Sequence, residues 1–397
     1  MKTHQPEETG MSSVRLTRIN KVMQKYLDQK KLAGMITAVF RRGKVIHYEC
    51  MGMRDVEENK PMKFDTIFRI YSMTKPIVAV AVMILYKQGH FQLFDPLSKY
   101  IPEFKYMKVF AGLGDSGIKL VDQQHDVTIR DLLTHTSGLI YPDETTVGRM
   151  YKEKRQEWDA LTLGEWISSL VELPLAYQPG TTWCYGYSFD LLGYLIEVLS
   201  GMTLDTFLEQ EIFKPLGMVD TAFFVPGEKI DRFAAMYTVD DNGKLETMES
   251  PVESIFAKPR AFLSGGGGLV STIGDFLRFC QMLLNKGVFE GTQLLSRKSV
   301  ELMTHNHLPS SLLPLKMGSF EIAGYGFGFG VGVLMDVPKS TQLGSEGSYG
   351  WEGAANTYFW IDPKEELIGL IMTQFQPFSY YPVRGEFRVL TYQAIID

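Results

Sequence analysis

Cysteine is scarce in this chain: three in 397 residues, at Cys50, Cys184 and Cys280, odd in number and far apart. That pattern offers neither a disulfide framework nor a metal-ligand spacing, so the cytoplasm is the default expectation. Excess positive charge is lacking as well. Forty Lys and Arg against 46 Asp and Glu leave a formal net charge of −6 with no long basic run. A general nucleic-acid binder, whose phosphate contacts need clustered cations, is thereby excluded. The longest apolar run, Ile77 to Tyr86, is too short to span a bilayer. The first twenty residues are polar and hold no apolar core of a secretory signal.

Several catalytic signatures are missing too. No G-x-S-x-G elbow occurs, which removes the defining element of an α/β-hydrolase. There is no H-E-x-x-H, and His305 and His307 read better as an exposed polar loop than as metal ligands. The glycine run Gly265 to Gly268 is not followed by Gly-Lys-Ser/Thr, so a close backbone approach beside a cleft is expected there, not a phosphate loop. No metal or organic cofactor is expected.

What is present is an ordinary globular composition, 45% hydrophobic and 22% charged, with material for a large core. Apolar positions Leu16, Ile19, Met23 and Tyr26 fall at helical spacing. MITAVFRRGKVIHYECMG reads as a β-hairpin turning at Arg42-Gly43. The middle third carries short helical patterns broken by Gly and Pro, and the last hundred residues return to strands and a final helix. The order strands, helices, strands predicts an antiparallel sheet flanked by helices and built from both chain ends, 1–88 and 292–397, with a mainly helical part, 89–291, inserted between.

Ser72-Met73-Thr74-Lys75 stands where strand-like FRIY gives way to a helix that is apolar almost all round. Residues three apart share a helix face, so the hydroxyl and the amine can meet. A helix start offers unpaired N–H groups to a developing oxyanion, and burial lets a lysine lose its proton near neutrality. The motif alone is also what an N-cap serine and a solvated lysine would give. The buried helix behind it tips the balance toward Lys75 as a desolvated base. Further on, Tyr185 lies in an aromatic loop after Pro179-Gly180, with Tyr187 and Tyr71 competing for an acid/base role. His135, in LLTHTSGL, reads as a structural hydrogen-bonding residue. Trp351-Glu352-Gly353 opens a strand whose small residues Gly353, Ala354 and Ala355 would let a substrate approach the backbone.

In order, SMTK, LLTHTSGL, PGTTWCYGYSFDLLGYLIE, GGGGLVSTIGDFLRF and GWEGAANTYFWIDP resemble the serine β-lactamase-like superfamily from about residue 15 to the C-terminus. The resemblance is strongest to family VIII carboxylesterases, which are related to class C β-lactamases and penicillin-binding proteins. It implies the β-lactamase-like fold with a cleft between the sheet and the helical part. It implies Ser72 as the acylated nucleophile, Lys75 as its base and Tyr185, six residues after Pro179, as the group assisting the leaving group and the deacylating water. The N–H groups of Ser72 and Ala354 would bind the oxyanion, with Trp351, Gly353 and Tyr187 beside the substrate.

Two departures bear on the substrate. The lactamases carry Tyr-x-Asn where this chain has Tyr185-Gly186-Tyr187, and Lys-Thr-Gly where it has Trp351-Glu352-Gly353. The amide that would hold a lactam side chain and the cation that would pair with its carboxylate are both gone. Trp351 and Gly353 fit the family's esterases, whereas Glu352 does not. The expected substrate is therefore a small neutral ester. β-Lactam hydrolysis, D-amino-acid peptidase activity and acyl transfer are rivals on the same site, and a non-catalytic binding protein is a more distant one.

Overall fold

A computed structural model describes residues 2–114, 117–318 and 320–397. An eight-stranded antiparallel sheet forms the frame. Its strands are β1 (Gly34–Arg41), β2 (Lys44–Asp55), β3 (Lys60–Pro61), β4 (Tyr325–Phe327), β5 (Gly332–Leu334), β6 (Tyr349–Glu352), β7 (Tyr358–Asp362) and β8 (Leu367–Met372). They run in the order β4-β5-β6-β7-β8-β1-β2-β3, so the two ends of the chain meet in the middle, where Ile36 pairs with Met372. The hairpin turning at Arg42-Gly43 is present, and both residues take the positive φ that such a turn demands.

Every residue of β1 is buried because the sheet is covered on both faces. Alternation sends Met35 and Val39 to the rear, against α1 (Ser13–Asp28) and a C-terminal helix, while Ile36, Ala38 and Phe40 face forward. The forward residues join a core shared with α2 (Thr74–Lys87) and α3 (Ser188–Ser200). α2 buries Thr74 to Leu85 without a break, so it is a central helix with no solvent face. We name the C-terminal helix α4 (Val383–Tyr392).

Between 89 and 291 the chain is mostly short helices, with antiparallel strand pairs Val109–Gly114 with Gly117–Val121 and Met236–Val239 with Leu245–Glu249. The second of these reaches back to the sheet. Ala235 N–H donates to Arg54 O (2.8 Å), and Tyr237 N–H to Gln374 O (3.0 Å). Among the described residues no single helix is long and apolar enough to cross a membrane. The three cysteines are free thiols.

Candidate active site

Ser72 occupies a single 3-10 turn, Tyr71–Met73, that leads directly into α2. Its hydroxyl caps nothing, which removes the N-cap explanation of the motif. The turn is braced from two sides. Arg69 and Gln374 exchange hydrogen bonds in both directions (Arg69 N–H to Gln374 Oε1, 3.0 Å; Gln374 Nε2 to Arg69 O, 3.1 Å). Phe68 and Arg69 pair with Ser271 and Val270, and Leu269 N–H donates to the Thr74 hydroxyl (3.1 Å). With so much support, Tyr71 is held at φ +41, a left-handed conformation costing a non-glycine residue about 1–3 kcal/mol.

The Lys75 amine is fully buried and contacts three oxygens: Ser72 Oγ (3.2 Å), Tyr141 OH (3.2 Å) and Gly266 O (2.6 Å). The Tyr185 ring lies under it at 4.4 Å. Burial pulls the amine from 10.5 to about 7, against a pull in the other direction from Asp190. At neutral pH a large share of it is an unprotonated base in contact with a hydroxyl. The Tyr185 phenol meets the Ser72 hydroxyl and accepts a hydrogen bond from Trp351 Nε1 (3.1 Å). Burial raises this phenol well above the ordinary tyrosine value, so it stays protonated and able to donate. Burial dominates.

The other expected residues fall around this group in different ways. Gly353 lies where a Cβ would sit 2.5 Å from Ile70 O and 2.2 Å from Thr357 Oγ1, so only glycine lets β6 close on the Ser72 turn. Its own N–H is engaged by Thr357 O (2.8 Å). Ala354, one residue on, is exposed. Tyr187, expected beside the substrate, is 5% exposed, its ring packed among Tyr141, Tyr151, Trp158 and Trp166. Trp183 is equally buried, behind Tyr185 and against His135 and Phe327. Both rings support the site from within the core and do not wall an open cleft. Glu352 is ion-paired with Arg384 of α4, so its charge is already compensated.

His135 differs from expectation. Neither ring nitrogen has a hydrogen-bond partner; the ring is wholly buried against Tyr185 (4.7 Å) and Phe189 (5.1 Å), and burial keeps it neutral. It acts by packing, and its backbone carbonyl accepts the Cys184 N–H (2.7 Å).

Two residues at the centre of the site went unnoticed in the sequence. Tyr141 was one of 19 tyrosines with no motif of its own. Asp190 is the one acid in the otherwise apolar stretch FDLLGYL, which was a legible signal. The glycine run is explained by crowding: a Cβ on Gly265 would meet Phe189 O at 2.3 Å, and one on Gly266 would meet Asp190 Oδ2 at 2.6 Å and Tyr141 OH at 2.7 Å.

Comparison with known proteins finds relatives along most of the chain. A family model described as Beta-lactamase matches residues 19–393. Protein Rv1367c of Mycobacterium tuberculosis is 34% identical over 88% of this chain and 88% of its own length. Esterase EstB of Burkholderia gladioli is 29% identical over 90% of this chain and 89% of its own. Among solved structures, EstCE1, described as a hydrolase with promiscuous acyltransferase activity, superposes with a TM-score of 0.82 at 25% identity, covering 95% of this chain and 98% of that one.

Proposed function

The chain belongs to the beta-lactamase family, whose members here include named esterases, and from that membership we propose that it is a family VIII serine carboxylesterase acting on short- to medium-chain acyl esters. One observation carries the reading: a buried lysine with its pKa brought to about 7 rests on the hydroxyl of a serine at a helix start. Lys75 takes the Ser72 proton as Oγ attacks the ester carbonyl. The N–H groups of Ser72 and Ala354 receive the oxyanion. The alkoxide then leaves with a proton delivered through Lys75 and Tyr185, and water attacks the acyl-enzyme by the same route in reverse.

Trp351-Glu352-Gly353 in place of a Lys-Thr-Gly motif supports neutral esters over β-lactams, since no lysine stands there to pair with a lactam carboxylate. The Glu352–Arg384 pair adds no free charge of either sign. The division into 1–88 with 292–397 and an inserted 89–291 belongs to the same proposal, with residues 234–239 seated against the sheet. So does a cytoplasmic location.

The test is turnover of p-nitrophenyl butyrate beside nitrocefin, on the wild type and Ser72→Ala, with mass spectrometry of the trapped acyl-enzyme. Ester turnover well above lactam turnover, lost in the variant and accompanied by an acyl adduct on Ser72, is the expected result. Lactam turnover equal to or faster than ester turnover would overturn the substrate class. Absence of any adduct would favour a non-catalytic protein. Acyl transfer is the second reading, favoured by the EstCE1 description. It predicts an ester product when an acceptor alcohol is supplied.

A further inference from the structure

We propose that Asp190 is a positioning residue for the Ser72–Lys75 pair, holding by its negative charge and its hydrogen bonds the glycine turn on which the Lys75 amine rests. The inference rests on the proposed roles of Ser72 and Lys75. Asp190 lies in the first turn of α3, 1% exposed. Its Oδ1 accepts from the Ser264 hydroxyl (2.5 Å) and from Gly266 N–H (3.1 Å). On the far side of that residue, Gly266 O accepts from Lys75 Nζ (2.6 Å). One residue thus links carboxylate and amine. The turn cannot be crowded: Asp190 Oδ2 and Tyr141 OH both lie within 2.7 Å of where a Gly266 Cβ would be.

The second carboxylate oxygen is the informative atom. Asp190 Oδ2 is buried with no hydrogen-bond partner. An unpaired buried oxygen on a carboxylate is costly and calls for a compensating charge. The groups around it define which charge that is. Burial pushes the Asp190 carboxyl above its ordinary value, and Lys75 on α2 and Arg155 on the helix Thr146–Trp158 pull it back toward the ionised form. Arg155 is itself paired with Asp159 (3.0 Å), which also binds Arg260 (2.8 Å). Facing Lys75 are Tyr141 and Tyr185, protonated, and His135, neutral. Asp190 is the anion that opposes the desolvation of Lys75.

Removing the charge destabilises the Lys75 ammonium, so the base loses its proton at lower pH. Asp190→Asn is close to isosteric, and its amide oxygen can keep the Ser264 and Gly266 bonds. The expected result is a rising limb of kcat/KM displaced downward by about one pH unit, a several-fold lower plateau because the base is weaker, and KM little changed. Asp190→Ala removes clamp and charge together and should lose activity further. Ser264→Ala keeps the carboxylate but removes a donor that stabilises its ionised form. It should move the limb the same way by less, and it carries the test if Asp190→Asn does not fold. A purely structural role would lower kcat in Asp190→Asn without moving the limb, and that result overturns the proposal. So would a limb displaced upward. An acylating inhibitor on the wild type separates the two levels: no adduct on Ser72 refutes the serine–lysine reading itself, whereas an adduct with an unmoved limb refutes only the role of Asp190.

Discussion

At the scale of single residues, the site turns on one side chain that is expensive to bury. Lys75 makes three contacts with oxygen and none with a carboxylate, and burial brings its pKa from 10.5 to about 7. If Lys75 is the base proposed above, its active form is the neutral amine, and kcat/KM should rise with pH through a midpoint near 7 and then level off. Tyr141 and Tyr185 are both pushed above the ordinary tyrosine value, so neither phenol should produce an alkaline limb below pH 10. Lys75→Met should lower kcat/KM by about 10²–10⁴-fold, and Lys75→Arg, which cannot lose its proton, by as much. A kcat/KM that is flat between pH 5 and 9, or an active Lys75→Arg, would refute the lysine as base. Ser72 and Lys75 could be read from the sequence because a single helical turn brings them together. Tyr141 lies 66 residues from the amine it contacts, and nothing local announces it. Asp190 could have been found by asking why an acid interrupts an apolar helix.

At the scale of elements, the site is built from close backbone approaches, and these depend on missing side chains. Gly353 allows the end of β6 to rest on Ile70, two residues before Ser72. Gly353→Ala would put a Cβ 2.5 Å from the Ile70 carbonyl and 2.2 Å from the Thr357 hydroxyl oxygen, both of them wholly buried. We expect about 1–3 kcal/mol of lost stability together with a large fall in kcat. Gly385, inside α4, is the matched control, since its Cβ would meet nothing within 4 Å. Gly385→Ala should be neutral or stabilise by up to about 1 kcal/mol through helix propensity, with unchanged kcat. Thermal unfolding and turnover of the two variants side by side check both statements, and equal effects would refute the contact argument. Strands β1, β2, β7 and β8 and helices α1, α2 and α3 were legible because each presents either an apolar period or, as in β1, β8 and α2, a nearly unbroken apolar run. The helix Thr146–Trp158 was not. Its sequence TVGRMYKEKRQEW is dominated by charge, and it is fixed by Val147, Tyr151 and Trp158 packing into the core. The paired strands Val109–Gly114 and Gly117–Val121 are mostly exposed, so they carry little of the alternation that marks a half-buried strand.

For the molecule as a whole, a fold with an inserted helical part could behave as two units or as one. Three features argue for one. The sheet is closed only when the chain's two ends pair, β1 against β8. The termini are tied together behind it, with Ser12 N–H donating to Ala394 O (2.8 Å) and Ile396 N–H to Gly10 O (3.0 Å), and buried Arg41 holding both Glu365 (2.7 Å) and Asp397 (2.9 Å). Most important, the forward core is continuous: Ile36, Phe359 and Leu370 of the sheet belong to the same packed cluster as α2, Trp158, Trp166 and Leu195 of the helical part. Opening the helical part alone would expose α2, which has no solvent face, and would leave the front of the sheet bare. Native-state hydrogen exchange across a urea series should therefore show the amides of β1, β8 and α3 converging on one opening free energy, the global one. If α3 exchanges through a lower-energy opening while β1 and β8 stay protected, the inserted part is a separate cooperative unit. In that case Lys75 and Asp190 would face each other across a boundary that opens on its own.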